Sequence, residues 1–95
     1  MDVERRLRPE DVVELNPNYH FRWEEPQQAH VLLYPEGIVK LNTTAAAILE
    51  ACTGAPSIAA GTAELARRYQ KRNLSAEVLK FLEVAHAKGW IRLKS

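Results

Sequence analysis

Residues Tyr19–Asn42, YHFRWEEPQQAHVLLYPEGIVKLN, decide the fold. Tyr19, Phe21 and Trp23 alternate with His20, Arg22 and Glu24, the period-2 pattern of a strand with one dry and one wet face. Glu25-Pro26-Gln27-Gln28 holds a proline and no apolar side chain, so it turns the chain. His30-Val31-Leu32-Leu33-Tyr34 is apolar on both faces, which predicts a central strand. Pro35-Glu36-Gly37 turns again, proline fixing φ and glycine free to take φ > 0. The third strand, Ile38-Val39-Lys40-Leu41, must then be an edge of the meander. An edge leaves a row of N–H and C=O groups unpaired, and natural proteins either blunt it or use it. Lys40 would blunt it; a peptide added as a fourth strand would use it.

Ninety-five residues make one domain with a single modest core. The formal net charge of +1 gives no global electrostatic case for nucleic acid or an anionic membrane. One cysteine forbids an intrachain disulfide and suits a reducing compartment. No apolar run approaches the roughly 18 residues that a bilayer span requires. Met1-Asp2-Val3-Glu4-Arg5-Arg6 lacks the apolar stretch of a secretory signal, so a cytoplasmic location is expected.

Outward from the sheet, residues 1–18 are expected to be a flexible N-terminal arm. Pro9 and Pro17 bracket Val12, Val13 and Leu15, a cluster that can pack on this molecule or on a neighbour. Residues 19–41 form the sheet, 42–89 three helices and 90–95 an extended tail. Asn42 caps the first helix, with Ala45, Ile48, Leu49 and Cys52 on one face. Gly54 is placed to end it. Ser57 caps the second helix, whose buried stripe reads Ile58, Thr62, Leu65 and Tyr69. Ala60 stands where a glutamate would complete a capping box, and Gly61 costs about 1 kcal/mol relative to alanine inside a helix. Packing must therefore hold this helix. Ser75 is the expected cap of the third, whose stripe is Val78, Phe81, Leu82 and Ala85. Three strands then three helices predict a small α+β domain resembling a winged helix-turn-helix with the sheet placed first.

No catalytic or metal-binding pattern is legible. His20, His30 and His86 are scattered outside any HxxxH, HExxH or CxxC spacing. Cys52 lies on an apolar helix face and reads as a small core residue. Glu24 and Glu25 point to opposite sides of a strand and do not converge. No cofactor is implied, and the chain does not read as an enzyme. Arg67, Arg68, Lys71 and Arg72 gather at the end of the second helix, where the helix dipole favours cations. A DNA-binding winged helix is the main alternative reading. The third helix opens Ser75-Ala76-Glu77-Val78, however, with an acid where a phosphate would approach. A module that dimerises through its arm or sheet edge is a further alternative.

Arg22–Asn42 together with TTAAAILEACTG, a Ser57-led helix ending AELARRY, and FLEVAHAKGWI resembles the PqqD family of pyrroloquinoline quinone (PQQ) biosynthesis. The likeness covers about residues 15–93 and departs at Ala60 and Gly61. It implies a non-catalytic peptide chaperone, a leader-recognition domain that binds the precursor peptide PqqA. Such a protein presents PqqA to the radical SAM enzyme PqqE, which joins a glutamate to a tyrosine of the peptide. The leader of related domains lies as a strand against the third strand, beside the third helix. That nominates Ile38, Val39, Lys40 and Leu41 for main-chain pairing and Val78, Leu82 and Ala85 as groove wall. Arg67, Arg68, Lys71 and Arg72 become a surface for acidic groups of either partner. Peptide register, the surface meeting PqqE, oligomeric state and any fusion to a neighbouring domain are left open.

Overall fold

Five strands and three helices follow one another in the computed structural model, which describes residues 6–94. They are β1 (Val13–Leu15), β2 (His20–Glu24), β3 (Ala29–Tyr34), β4 (Gly37–Lys40), α1 (Thr43–Cys52), α2 (Ile58–Tyr69), α3 (Ser75–Ala87) and β5 (Ile91–Leu93). The α+β plan of a meander followed by three helices is the one the alternating pattern predicts.

In the three-stranded sheet the order is β2-β3-β4, all antiparallel, so β3 is central and β4 is an edge. Side chains alternate across the pleat. Phe21, Leu32 and Val39 stand in register on the helix-facing side, and Leu32 is fully buried against the main core. The opposite face carries Arg22, Val31 and Lys40 in one row. Val31 is fully buried there between its two charged neighbours, whose aliphatic stems suit that task.

Asn42 caps α1 as expected, its side-chain oxygen accepting from the Ala45 amide at 2.7 Å. Ala45, Ala46, Ile48, Leu49 and Cys52 are buried on the inner face. Ser57 caps α2 through the Ala60 amide at 3.0 Å. Tyr69, predicted to be in the buried stripe of α2, is 47% exposed. It is the last residue of that helix and overhangs the layer that buries Ile58, Thr62 and Leu65. Ser75 does not cap α3: it is already helical, and Leu74 precedes it with no side-chain bond. Asn73, at φ +56°, makes the bend into the helix instead. At the other end Gly89, at φ +81°, lets the Trp90 amide reach back to the Ala85 carbonyl at 2.9 Å. That closure is a Schellman motif.

The flexible arm expected over residues 1–18 is corrected by the structure from Leu7 onward; residues 1–5 lie outside the described residues. β1 pairs antiparallel with β5, in the register Val13↔Leu93, Glu14↔Arg92 and Leu15↔Ile91. Glu14 and Arg92 add an ion pair at 2.6 Å. Val13 and Leu7 are buried in the main core. The arm also closes the weak start of α2. A helix leaves its first amides without internal partners. Here the Asp11 carbonyl accepts from Ile58 and the Pro9 carbonyl from Ala59, each at 2.8 Å. Two of the helix's first amides, those of Ile58 and Ala59, are thus satisfied by backbone carbonyls of the arm, which supports the start of α2 although Ala60 supplies no capping-box side chain.

Candidate functional site

The phase of the hydrogen bonds along β4 follows from one contact. The Leu41 amide donates to the His30 carbonyl at 3.0 Å. In an antiparallel ladder inward-facing and outward-facing residues alternate strictly. With Val31 opposite Lys40 and Leu32 opposite Val39, Val39 and Leu41 turn their main-chain groups toward β3. Ile38 and Lys40 turn theirs to the open side, where no strand of the sheet lies. The four nominated residues therefore divide. Ile38 and Lys40 direct two amides and two carbonyls to the open side, while Val39 and Leu41 bond inward, Leu41 buried in the core and Val39 packed against it on the helix-facing side. The Ile38 side chain lies on the outer face and is 48% exposed.

α3 contributes less than its stripe suggests. Leu82 and Ala85 are completely buried and Val78 is 2% exposed, all within the main core. Leu82 and Ala85 therefore cannot form a groove wall for a peptide. The amphipathic pattern identified the inward face of α3, but that face is spent on the protein's own core. What α3 does give is its start. Leu74, Glu77 and the edge of Val78 line a cleft of about 230 Å³ with Thr43, Ala47 and Tyr69. Sharing Thr43, Ala47 and Tyr69 with it is a cleft of about 480 Å³ at the end of the sheet, bordered also by Trp23, Lys40 and Leu41. Trp23, Tyr69 and Leu74 were not among the sequence candidates. The periodic patterns put Trp23 on the dry face of its strand and Tyr69 in the buried stripe of α2, so neither stands out as exposed, although each is 47% exposed.

The basic cluster is partly neutralised from within. Arg67 pairs with Glu64, and Arg68 with both Glu64 at 3.6 Å and Glu50 at 3.8 Å. Such exposed pairs contribute little stability, but they halve the charge offered to a phosphate backbone. Lys71 lines the smaller cleft, and Arg72 is exposed.

The β2–β3 turn is stiffened by polar contacts. Trp23 Nε1 donates to Glu25 Oε1 at 2.8 Å, and Gln28 Nε2 donates to Glu25 Oε2 at 3.0 Å. These two donors, the Trp23 indole foremost, hold the Glu25 carboxyl below its ordinary pKa of 4.5. Both bonds favour the ionised form. The turn's contribution is therefore complete above about pH 4.5 and is lost as pH falls through the lower folded-state value. The Trp23 indole proton resonance should move in that acid window, and Glu25→Gln should abolish the titration. A Trp23 resonance that is flat across that window in the unmodified protein would contradict the bond.

Cys52 is fully buried, and desolvation pushes its thiol up to about 11, which suits a core residue rather than a nucleophile. His30 is half-buried and lies flat on Phe21, ring centroids 5.0 Å apart. Among the described residues no group of three or more His, Cys, Asp or Glu could hold a metal ion. No described helix is long and apolar enough to cross a membrane.

Residues 29–91 match the family model described as "Coenzyme PQQ synthesis protein D (PqqD)". The chain is 44% identical over 86 residues to the PqqA binding protein of Methylococcus capsulatus, covering 90% of this chain and 92% of that one. With the PqqA binding protein of Azotobacter vinelandii it shares 49% identity over 84 residues, covering 87% and 91%. Among solved structures it is similar to the solution NMR structure of the PqqD truncation of Methylobacterium extorquens PqqCD. That structure is described as a functional, stand-alone recognition element for ribosomally synthesised and post-translationally modified peptides. The TM-score is 0.73 at 25% identity, with 90% of this chain and 94% of that one covered.

Proposed function

The chain belongs to the PqqD family, and from that premise we propose that it binds a PqqA-type precursor peptide as a fourth strand on β4 and presents it to a radical SAM enzyme of the PqqE kind. It does so without chemistry of its own, as an adaptor in the cytoplasm. The observation that carries the reading is the outward phase of Ile38 and Lys40 at the end of the sheet. Main-chain pairing there supplies affinity that does not depend on peptide sequence, and side-chain pockets beside it supply selection. The cleft of about 480 Å³ that Lys40 and Leu41 line supports the second half of that division of labour.

Calorimetric titration with a synthetic PqqA-type peptide tests the reading. Saturable one-to-one binding with a negative heat-capacity change is expected, because apolar surface is buried. Equal binding of a scrambled peptide, or no saturable heat, would count against it. Presentation is tested by adding a PqqE-type enzyme to the peptide complex. A ternary complex should form, and quantitative displacement of the peptide from this protein would contradict the adaptor role.

A further inference from the structure

Ile38 and Lys40 carry their side chains on the face of the sheet turned away from the helices, each at the end of a row that crosses the three strands. One row is Arg22, Val31 and Lys40; the other is His20, Leu33 and Ile38. A strand added to β4 lengthens both rows by one residue, because residues directly opposite one another in neighbouring strands share a face. β4 is the edge of its sheet, so no strand stands between. The two added residues are immediate cross-strand neighbours of Lys40 and Ile38.

The first row is uneven in charge. Arg22, at its far end, is paired with Glu24 at 3.0 Å. Lys40, at the open end, is exposed and enters no salt bridge among the described residues. Any strand that docks brings one of its side chains beside this unmatched ammonium. Opposite charges directly across a strand pair stabilise it, and like charges oppose it. A docking strand with an acid there is favoured, and one with Lys or Arg there is rejected.

The second row is apolar where it meets the edge. Ile38 is 48% exposed and stands beside half-buried Leu33. An edge that needed only protection from stray pairing is best served by charge on its outward residues. Lys40 meets that description and Ile38 does not. An apolar side chain placed opposite Ile38 removes its exposed flank from water.

Every strand pair in this sheet is antiparallel, and antiparallel pairing is slightly the more stable per residue. Because β4 runs from Ile38 to Lys40, an antiparallel partner meets Lys40 first. We propose that the β4 edge selects a peptide strand with an acid two positions before an apolar residue, the carboxylate pairing with Lys40 and the apolar side chain covering Ile38. The residue between them turns to the helix-facing side, opposite Val39. This deepens the strand-addition reading and rests on it.

The test titrates the full chain with a synthetic PqqA-type peptide and with variants in which each Asp or Glu in turn is replaced by Lys. At low salt one replacement is expected to weaken binding to the unmodified protein about fivefold, since an attraction is exchanged for a repulsion. Lys40→Glu should weaken binding of the native peptide by a similar factor and should bind that one variant better than the native peptide. Damage to the fold or to the ladder cannot produce such a reversal. Raising the salt should shrink both effects. Serine in place of the residue two positions after the identified acid should cost about threefold in the unmodified protein and less than twofold in Ile38→Ser. If the Ile38 and Lys40 amides respond to the peptide while Lys40→Glu reverses the effect of no replacement, the selection is overturned and strand addition stands. A reversed acid with no apolar residue two positions after it overturns the proposed pattern. If neither the edge amides nor any heat responds to the peptide, strand addition fails, and the selection with it.

Discussion

Ile38→Pro and Lys40→Pro are each expected to leave the domain folded and to weaken peptide binding tenfold or more, whereas Val39→Pro should damage the fold itself. The contrast follows from ladder phase. Proline lacks the amide proton and is tolerated on an edge strand where that proton faces outward. At positions 38 and 40 it removes no bond to β3, and the residue before it is already extended, as proline requires. What it removes is one donor to the partner strand, and its ring sits in the partner's path. A typical net hydrogen bond is worth about 0.5–1.5 kcal/mol. Adding the steric obstruction reaches the roughly 1.4 kcal/mol that corresponds to a factor of ten. At position 39 the lost amide faces β3, opposite Leu32, so a carbonyl in the sheet interior is orphaned at a cost of about 1–3 kcal/mol. Urea midpoints and peptide affinities measured on all three variants separate the two effects. A folded, normally binding Val39→Pro beside an unfolded Ile38→Pro would mean that the phase is reversed.

Gly61→Ala should lower stability by about 2 kcal/mol, although helix propensity alone favours alanine by about 1 kcal/mol. A Cβ at position 61 would lie 2.7 Å from Cys52 Sγ, 2.8 Å from the Ala51 carbonyl oxygen and 2.8 Å from Cys52 Cα. Two of these three atoms are backbone and cannot move without pushing α1 away from α2. The glycine that looks like a defect in the sequence is what lets the two helices touch. For a domain of this size the melting temperature should fall by about 10 °C. Trimming the sulfur with Cys52→Ala should recover only part of the loss. A melting temperature raised by Gly61→Ala would show that the helices stand further apart than described.

The sheet was legible because its signals are local. Alternation over Tyr19–Glu24, the turn at Pro26 and the all-apolar Val31–Leu33 need no information from elsewhere in the chain. The caps at Asn42 and Ser57 are of the same kind. The pairing of Val13–Leu15 with Ile91–Leu93 had no such signature. Each strand has three residues, too few to show a period, and the partners lie at opposite ends of the chain. The role of the Pro9 and Asp11 carbonyls at the start of α2 is invisible for the same reason. At the site, the sequence located the open strand but could not say which of its amides point outward, because that depends on one bond between Leu41 and His30. It also could not tell an inward-facing stripe serving the protein's own core from one kept for a guest, and so Leu82 and Ala85 were assigned to the wrong side.

Amide hydrogen exchange at residue resolution, with and without a PqqA-type peptide, tests the central claim most directly. The Ile38 and Lys40 amides should exchange quickly in the free protein and slow at least tenfold on saturation, as they enter a new ladder. Val39 and Leu41, already bonded inward, should change far less. Protection appearing instead at Phe21 and Trp23 on the opposite edge, or bound peptide with no slowing at Ile38 and Lys40, would contradict strand addition at β4.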